Sequence, residues 1–248
     1  MRLWKSWMIA RKDLKILTRR RSLMAALIVL PLFMGIGLPG IIEYIMIKKS
    51  NSLSGVSIPL DLLGAFGYFF VLLAVFLPLY LSSYSLVGEK VEKSIEPLLS
   101  TPTSDGEILI GKYIGAFIPA MLSIYFGAIV FMILNDIFTF RLLGYLFYPN
   151  LNFAIILLIA APLACLYAIS FSVFISGKVN DARTAYQLGV LSVLPFVLLY
   201  VLGEIGIVSL VSDTNILIIS GALLLMTIVM YLISSATFKR EEILLNWK

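Results

Sequence analysis

The sequence contains no histidine and only one cysteine, Cys165, which lies inside an apolar run. Chemistry that needs an imidazole base or a histidine ligand is therefore excluded, and no intrachain disulfide can form. Charged residues are also scarce, at 13% of the chain against about 25% in a typical soluble domain. These shortages predict that the chain has no catalytic residues and no metal site.

Hydrophobic residues make up 60% of the 248 residues, and the mean hydropathy is +1.02. Soluble domains contain about 45–50% apolar residues, so the composition indicates an integral membrane protein. The net charge of +5 is compatible with nucleic-acid binding. However, the basic residues cluster beside the hydrophobic runs, which favours the lipid bilayer as their partner and not nucleic acid.

Six apolar runs are long enough to cross a bilayer as helices, which requires about 20 residues. They predict an all-α membrane protein with one transmembrane domain over residues 1–248. The fifth run is interrupted at its end by glycine and glutamate, and whether residues 203–213 form a re-entrant segment stays open. The predicted spans are Leu23–Ile47, Leu62–Val87, Tyr113–Leu134, Phe153–Ser176, Tyr186–Ile205 and Ile216–Thr237.

The distribution of lysine and arginine between the spans predicts the orientation. Sixteen of these residues flank one side of the predicted spans and three flank the other. Because cytoplasmic segments carry the excess of positive charge, both termini are expected in the cytoplasm.

Residues 1–22 are predicted to form a basic amphipathic helix in the inner membrane interface. Its apolar positions recur at steps of three and four residues, so they share one helical face: Leu3, Trp7, Ala10, Leu14 and Leu17. The helix is either a simple anchor or a connector that transmits motion from a cytoplasmic partner.

The segment 88–112 contains a G-x-x-x-x-G-K spacing at Gly106 and Gly111-Lys112, which is typical of phosphate-binding loops. The intervening isoleucines resist the positive φ values that such a loop needs. Tyr113 stands where a Ser or Thr would hold magnesium, so no nucleotide site is expected. Lys112 and Tyr113 are instead expected at the membrane interface, with the lysine extended towards the headgroups.

The same segment predicts a short cytoplasmic helix, because Val87, Val91, Ile95 and Leu98 follow helical spacing. It reads Gly88-Glu89-Lys90, Ser94-Ile95-Glu96, Leu98-Leu99, Thr101-Pro102 and Gly111-Lys112. This order resembles the segment after the second span in the membrane subunits of type-2 ABC transporters. Val91, Lys93-Ser94 and Pro97 depart from the family's pattern. Residues 12–24 and 178–195 are also similar to the family's, so the resemblance covers most of the chain.

The resemblance implies a six-span half-transporter in the plasma membrane that pairs with a second copy or with a related permease. Each half binds a separate ATPase subunit, so two ATPase subunits with their ATP and Mg²⁺ complete the complex, and this chain carries no cofactor. The helix after the second span is then the coupling helix, which is seated on the ATPase. The implied contact residues are Glu89, Glu92, Glu96, Leu98, Leu99, Thr101 and Pro102.

Other charged and aromatic residues are assigned to loops and interfaces. Asp136 is expected in an outer loop, and Asp181 belongs to a short cytoplasmic loop with Lys178 and Arg183. An aromatic cluster is expected along the outer interface, with members Phe138, Phe140, Tyr145, Phe147 and Tyr148.

Two other classes of function were weighed against the half-transporter. A membrane-embedded enzyme is disfavoured because the spans contain no Ser–His pair and no paired aspartates. An ATP-independent secondary transporter or channel is the alternative, although no internal repeat and no mid-membrane polar site supports it. The substrate, expected to be amphipathic or hydrophobic, and the choice between transport and mechanical transmission stay open.

Overall fold

The computed structural model describes residues 3–50, 65–91, 103–179, 181–205 and 207–237. Within these ranges the chain forms helices and short connections, without a β-strand. Six helical stretches are long and apolar enough to cross a membrane, which confirms the all-α, six-span prediction. The α-helices are α1 Leu3–Arg19, α2 Arg21–Ser50, α3 Phe69–Val91, α4 Asp105–Leu143, α5 Leu151–Ile155, α6 Ala161–Lys178, α7 Ala182–Val190, α8 Leu194–Glu204 and α9 Asp213–Thr237.

The third span is longer than the sequence predicted. The predicted boundaries, Tyr113–Leu134, cover only the middle of α4, which has 39 residues. At 1.5 Å per residue this helix is about 58 Å long, whereas a bilayer with its headgroups is about 40–45 Å thick. It follows that α4 extends out of the membrane.

The second and fourth spans form the centre of the bundle. Their apolar windows, Ala65–Ser83 and Leu151–Lys178, are 78% and 67% buried, whereas the other four are 28–39% buried. The fourth span combines α5, a π-helical turn at Ile156–Ala160 and α6. The remaining spans therefore surround this pair and present most of their apolar surface outwards.

The π-helical turn leaves backbone groups that need other partners. The Ala161 N–H donates to the Ile156 carbonyl, five residues back, and Pro162 has no N–H to donate. The Leu157 carbonyl accepts a hydrogen bond from the Tyr125 hydroxyl of α4 at 3.4 Å. Neighbouring helices thus satisfy backbone groups that lipid cannot.

The backbones of α2 and α4 approach each other closely where the two helices cross. A Cβ atom added to Gly127 would lie 2.6 Å from Pro31 Cβ and 2.7 Å from the Pro31 carbonyl oxygen. A Cβ added to Gly35, one turn further along α2, would lie 2.7 Å from the Gly127 carbonyl oxygen. Glycine is required at both positions, because any side chain would push the two helices apart.

The outer end of the bundle corrects two sequence predictions. Asp136 lies within α4 and not in a loop, and its carboxylate accepts hydrogen bonds from the Phe147 and Tyr148 N–H groups at 3.1 and 3.0 Å. Tyr148 is buried, because these bonds fold the connection back onto the rings of Phe131 and Phe153. Desolvation raises the pKa of the Tyr148 phenol.

Residues 207–212, before the sixth span, form an irregular connection. Leu210 is buried against Gly203, where an added Cβ would meet its side chain. The Asn152 amide at the start of the fourth span donates to the carbonyls of Leu210 and Val211 at 3.3 and 3.0 Å. This amide therefore fixes the connection to the core of the bundle.

The α2–α4 crossing generates a stability prediction. Replacing Gly127 with alanine should destabilise the protein by about 1–3 kcal/mol, because the added methyl overlaps Pro31. The matched control is Gly221→Ala in α9, where an added Cβ has no atom within 4 Å. Thermal unfolding in mild detergent measures both variants. Equal melting temperatures for the two would contradict the tight crossing.

Candidate functional site

The end of the bundle where α3 ends and α4 begins is where the sequence predicts contact with a partner. The last turn of α3 contains the backbone of Glu89 and ends at Val91. The other predicted contact residues lie outside the described residues, and their role stays a prediction: Glu92, Glu96, Leu98, Leu99, Thr101 and Pro102. The structure describes what flanks them, namely the end of α3 and the beginning of α4.

The beginning of α4 is fixed by a capping box. The Ser104 hydroxyl accepts a hydrogen bond from the Glu107 N–H at 3.3 Å, and the Glu107 carboxylate accepts one from the Ser104 N–H at 3.1 Å. Both bonds satisfy backbone donors that the first helical turn leaves free. The last eight residues of the predicted coupling segment 88–112, from Asp105, belong to α4, and the role of the segment stays a prediction.

The G-x-x-x-x-G-K spacing lies entirely on this helix. Gly106, Gly111 and Lys112 belong to the first turns of α4, whose regular backbone cannot wrap around a phosphate. A Cβ added to Gly111 would lie 2.8 Å from both Ile9 Cβ and the Ser6 carbonyl oxygen of α1. This glycine therefore serves the contact between α1 and α4, which accounts for the resemblance to a phosphate-binding loop.

A second glycine, one turn later, continues the same contact. A Cβ added to Gly115 would lie 3.2 Å from Asp13 Cβ and 3.7 Å from Ala10 Cα. The i, i+4 spacing of Gly111 and Gly115 places both on one face of α4. Small residues at this spacing allow two helix backbones to approach closely, so α1 lies directly against α4.

The α1 face that packs on α4 consists of small and apolar residues. Its buried residues are Ser6, Ile9, Ala10 and Leu17, of which Ala10 and Leu17 also belong to the apolar face predicted from the sequence. Trp7 of the predicted face is 44% exposed. A surface this close to two glycines admits small side chains and excludes an indole ring. The location of α1 in the membrane interface stays a prediction.

An ion pair is buried within the α1–α4 contact. Lys112 Nζ lies 3.0 Å from Asp13 Oδ2 and 3.2 Å from Asp13 Oδ1, and the two side chains are 1% and 9% exposed. The prediction that Lys112 extends towards the headgroups was wrong. A carboxylate on α1 holds the ammonium group inside the protein.

Tyr113, the neighbour of Lys112, is also buried instead of lying at the interface. Its hydroxyl donates to the Ser170 hydroxyl of α6 at 2.8 Å, and Ser170 donates in turn to the Leu166 carbonyl at 2.7 Å. The Tyr113 ring also meets Tyr231 of α9 edge to face, at a centroid distance of 5.8 Å. Consecutive residues of α4 thus connect it to α1 on one side and to α6 and α9 on the other.

The beginning of α7, after the predicted second cytoplasmic loop, is organised by Asp181. Its carboxylate accepts hydrogen bonds from the Thr184 N–H and hydroxyl, both at 3.0 Å, and caps α7. These hydrogen bonds lower the pKa of the exposed Asp181 carboxyl. Lys178 Nζ lies 4.1 Å from the centre of the Phe174 ring, and Arg183 is exposed. The connection is short and ordered by local contacts.

An apolar cavity lies between α2, α3 and α7. Its volume is about 370 Å³. The rings of Tyr80 and Tyr186 meet edge to face beside it, at a centroid distance of 5.5 Å. Its lining is Ala26, Leu30, Met34, Leu73, Phe76, Leu77, Tyr80 and Tyr186. Such a lining suits a hydrophobic or amphipathic molecule and offers no charge to a hydrophilic one.

The importance of Asp13 was not recognised from the sequence, although a signal was present. It is the first acidic residue in the chain, and the next is Glu43. It stands among basic residues at helical spacing from Ala10 and Leu17. A lone carboxylate on the buried face of a basic helix indicates a cationic partner elsewhere in the fold.

Comparison with known proteins agrees with this architecture. A family model described as "ABC-2 family transporter protein" matches residues 7–218. The chain has no match among curated proteins. The matched range begins inside α1 and ends inside α9, so it contains the ion pair between α1 and α4 and the cavity.

The buried ion pair generates a second stability prediction. Replacing Asp13 with alanine leaves Lys112 buried without its carboxylate, which should cost about 3–5 kcal/mol. The control is Lys15→Ala, an exposed charge on the same helix, expected within about 0.5 kcal/mol of the native protein. The free energy of unfolding of the purified chain is measured for both variants. A similarly small decrease for each would show that the ion pair contributes little to stability.

Proposed function

Because the chain belongs to the ABC-2 family of transporter proteins, we propose that it is the permease subunit of an ATP-driven exporter. The match over residues 7–218 is the observation that carries the proposal, and the six apolar helices agree with it. The chain is a multi-pass membrane transport component and is not catalytic itself.

The energy comes from a separate ATPase subunit with its own ATP and Mg²⁺, present in two copies per complex. The segment between α3 and α4 contacts it on the cytoplasmic side. The fold supports this position, because α3 continues past the end of its apolar span at Ser83 to Val91. The 39 residues of α4 also make that helix longer than a bilayer is thick. The contact residues are Glu89, Glu92, Glu96, Leu98, Leu99, Thr101 and Pro102.

A second copy of the chain, or a related permease, completes the transport pathway in the plasma membrane. The support is the outward apolar surface of the first, fifth and sixth spans, which are 28–33% buried within the single chain. Lipid covers part of this surface and the second permease covers the rest. Both termini lie in the cytoplasm, in agreement with the positive charge of the segments on that side.

The cargo is amphipathic or hydrophobic. The support is the cavity between α2, α3 and α7, whose eight lining residues include no charged side chain. A hydrophilic cargo would lose its hydration there without compensating hydrogen bonds, at a cost of several kcal/mol. The two tyrosines supply the polar atoms that an amphipathic cargo needs.

The partnership with an ATPase is tested by purification. A tagged chain, expressed from its native operon and extracted mildly, should carry a stoichiometric ATPase subunit and ATP hydrolysis activity. A variant with Glu96→Lys, Leu98→Ala and Leu99→Ala should lose both, because the contact surface is changed. The control is Lys15→Ala, an exposed position on α1. A native chain that purifies without an ATPase would favour a secondary transporter.

The cavity is tested by filling it. Ala26→Phe should reduce export of an amphipathic fluorescent dye from cells at least five-fold, because the ring occupies the space between α2 and α3. The matched control is Ala25→Phe, the exposed neighbouring position, which should leave export unchanged. Accumulation of the dye measures both variants. Equal export by the two variants would show that this cavity does not take the cargo.

A further inference from the structure

The N-terminal helix contacts α4 on the turns that directly follow the predicted coupling segment. Gly111, Lys112 and Gly115 of α4 form this contact, and they meet Ser6, Ile9, Ala10 and Asp13 of α1. Ser104, where the capping box lies, is about two helical turns before Gly111. Any displacement of the coupling segment therefore reaches α1 and α4 at the same place.

The two N-terminal helices touch α4 twice. The first contact is at Gly111 and Gly115, and the second is the crossing of α2 at Gly127. Positions 111 and 127 lie about 24 Å apart along the helix axis. The chain between the contacts passes through the break at Arg20, where α1 ends and α2 begins. A helix pair held at two points along one continuous helix follows the motion of that helix.

We propose that Asp13 and Lys112 are positioning residues that make α1, α2 and α4 one rigid body during transport. The inference rests on the proposed function and specifies how the force from the ATPase reaches the cavity. The body contains three of the residues that line the cavity, Ala26, Leu30 and Met34 of α2. The facing residues belong to α3 and α7, so movement of the body changes the shape of the cavity.

The ion pair contributes something that the glycines do not. The glycines oppose sliding of the two helices by steric contact alone, whereas the ion pair adds an electrostatic penalty. A shift by one residue would take the Asp13 carboxylate away from an ammonium group that is 1% exposed and leave that charge buried. The pair therefore fixes a single register between α1 and α4, as buried polar residues do in coiled coils.

The test removes both charges together, so that neither is left buried alone. The variant Asp13→Asn/Lys112→Met keeps similar side-chain volumes, and Lys15→Met removes an exposed charge from the same helix as the control. In proteoliposomes with the ATPase, the double variant should hydrolyse ATP at the native rate but export at least five-fold less dye per ATP. The control should keep the native ratio. A native ratio in the double variant would overturn the proposal.

A second measurement separates this proposal from the proposed function. Spin labels on cysteines at Thr18 and Leu122, both exposed, report the position of α1 against α4 in the isolated chain. The labelled chain with the native ion pair should give a narrow distance distribution. The labelled double variant should give one at least twice as broad. An equally narrow distribution in the double variant would overturn the proposal, whether or not an ATPase binds to the chain. A broad distribution with no ATPase partner in the cell would contradict the proposed function alone.

Discussion

Three glycines and one ion pair hold the N-terminal helices against α4, and the rest of the architecture depends on this contact. Gly111, Gly115 and Gly127 bring α1 and α2 to backbone distance. The pair between Asp13 and Lys112 sets the register. On its other side α4 hydrogen-bonds α6 through Tyr113. Lipid offers no hydrophobic driving force between helices, so close packing and buried polar contacts have to hold the bundle together.

On the proposed function, this arrangement connects the contact with the ATPase to the membrane part of the chain. The most buried spans form a central pair, and the helices around it carry the outward apolar surface. The long α4 begins at Asp105, shortly after the last predicted contact residue, Pro102. Its first turns contact α1, and α1 is followed by α2, which lines the cavity. Force applied at the beginning of α4 therefore has a continuous path of packed helices into the membrane.

The six spans could be predicted from the sequence because each contains about 20 apolar residues. Few structures other than a membrane-spanning helix require an apolar run of this length. The beginning of α4 was missed, although Ser104 and Glu107 have the spacing of a capping box. The acidic residues there were interpreted as a partner surface. Tyr148 and Asp136 were misplaced because their contact depends on a fold-back of the chain, which hydropathy does not reveal.

The ion pair was beyond prediction for a different reason. Asp13 and Lys112 are 99 residues apart, and neither belongs to a motif that would identify the other as its partner. The glycines beside Lys112 fit two interpretations, a loop around phosphate or a close helix contact, and local spacing does not distinguish them. Only the packing of α1 on α4 decides between the two. Long-range polar contacts of this kind are properties of the fold and not of any segment.

The central claim is that a separate ATPase drives this permease through the segment between α3 and α4. The most direct measurement places a photoreactive amino acid at position 96 in the native membrane and identifies the cross-linked product by mass spectrometry. The account predicts a cross-link to an ABC ATPase subunit. Cross-links only to lipid or to a second copy of the chain would contradict it.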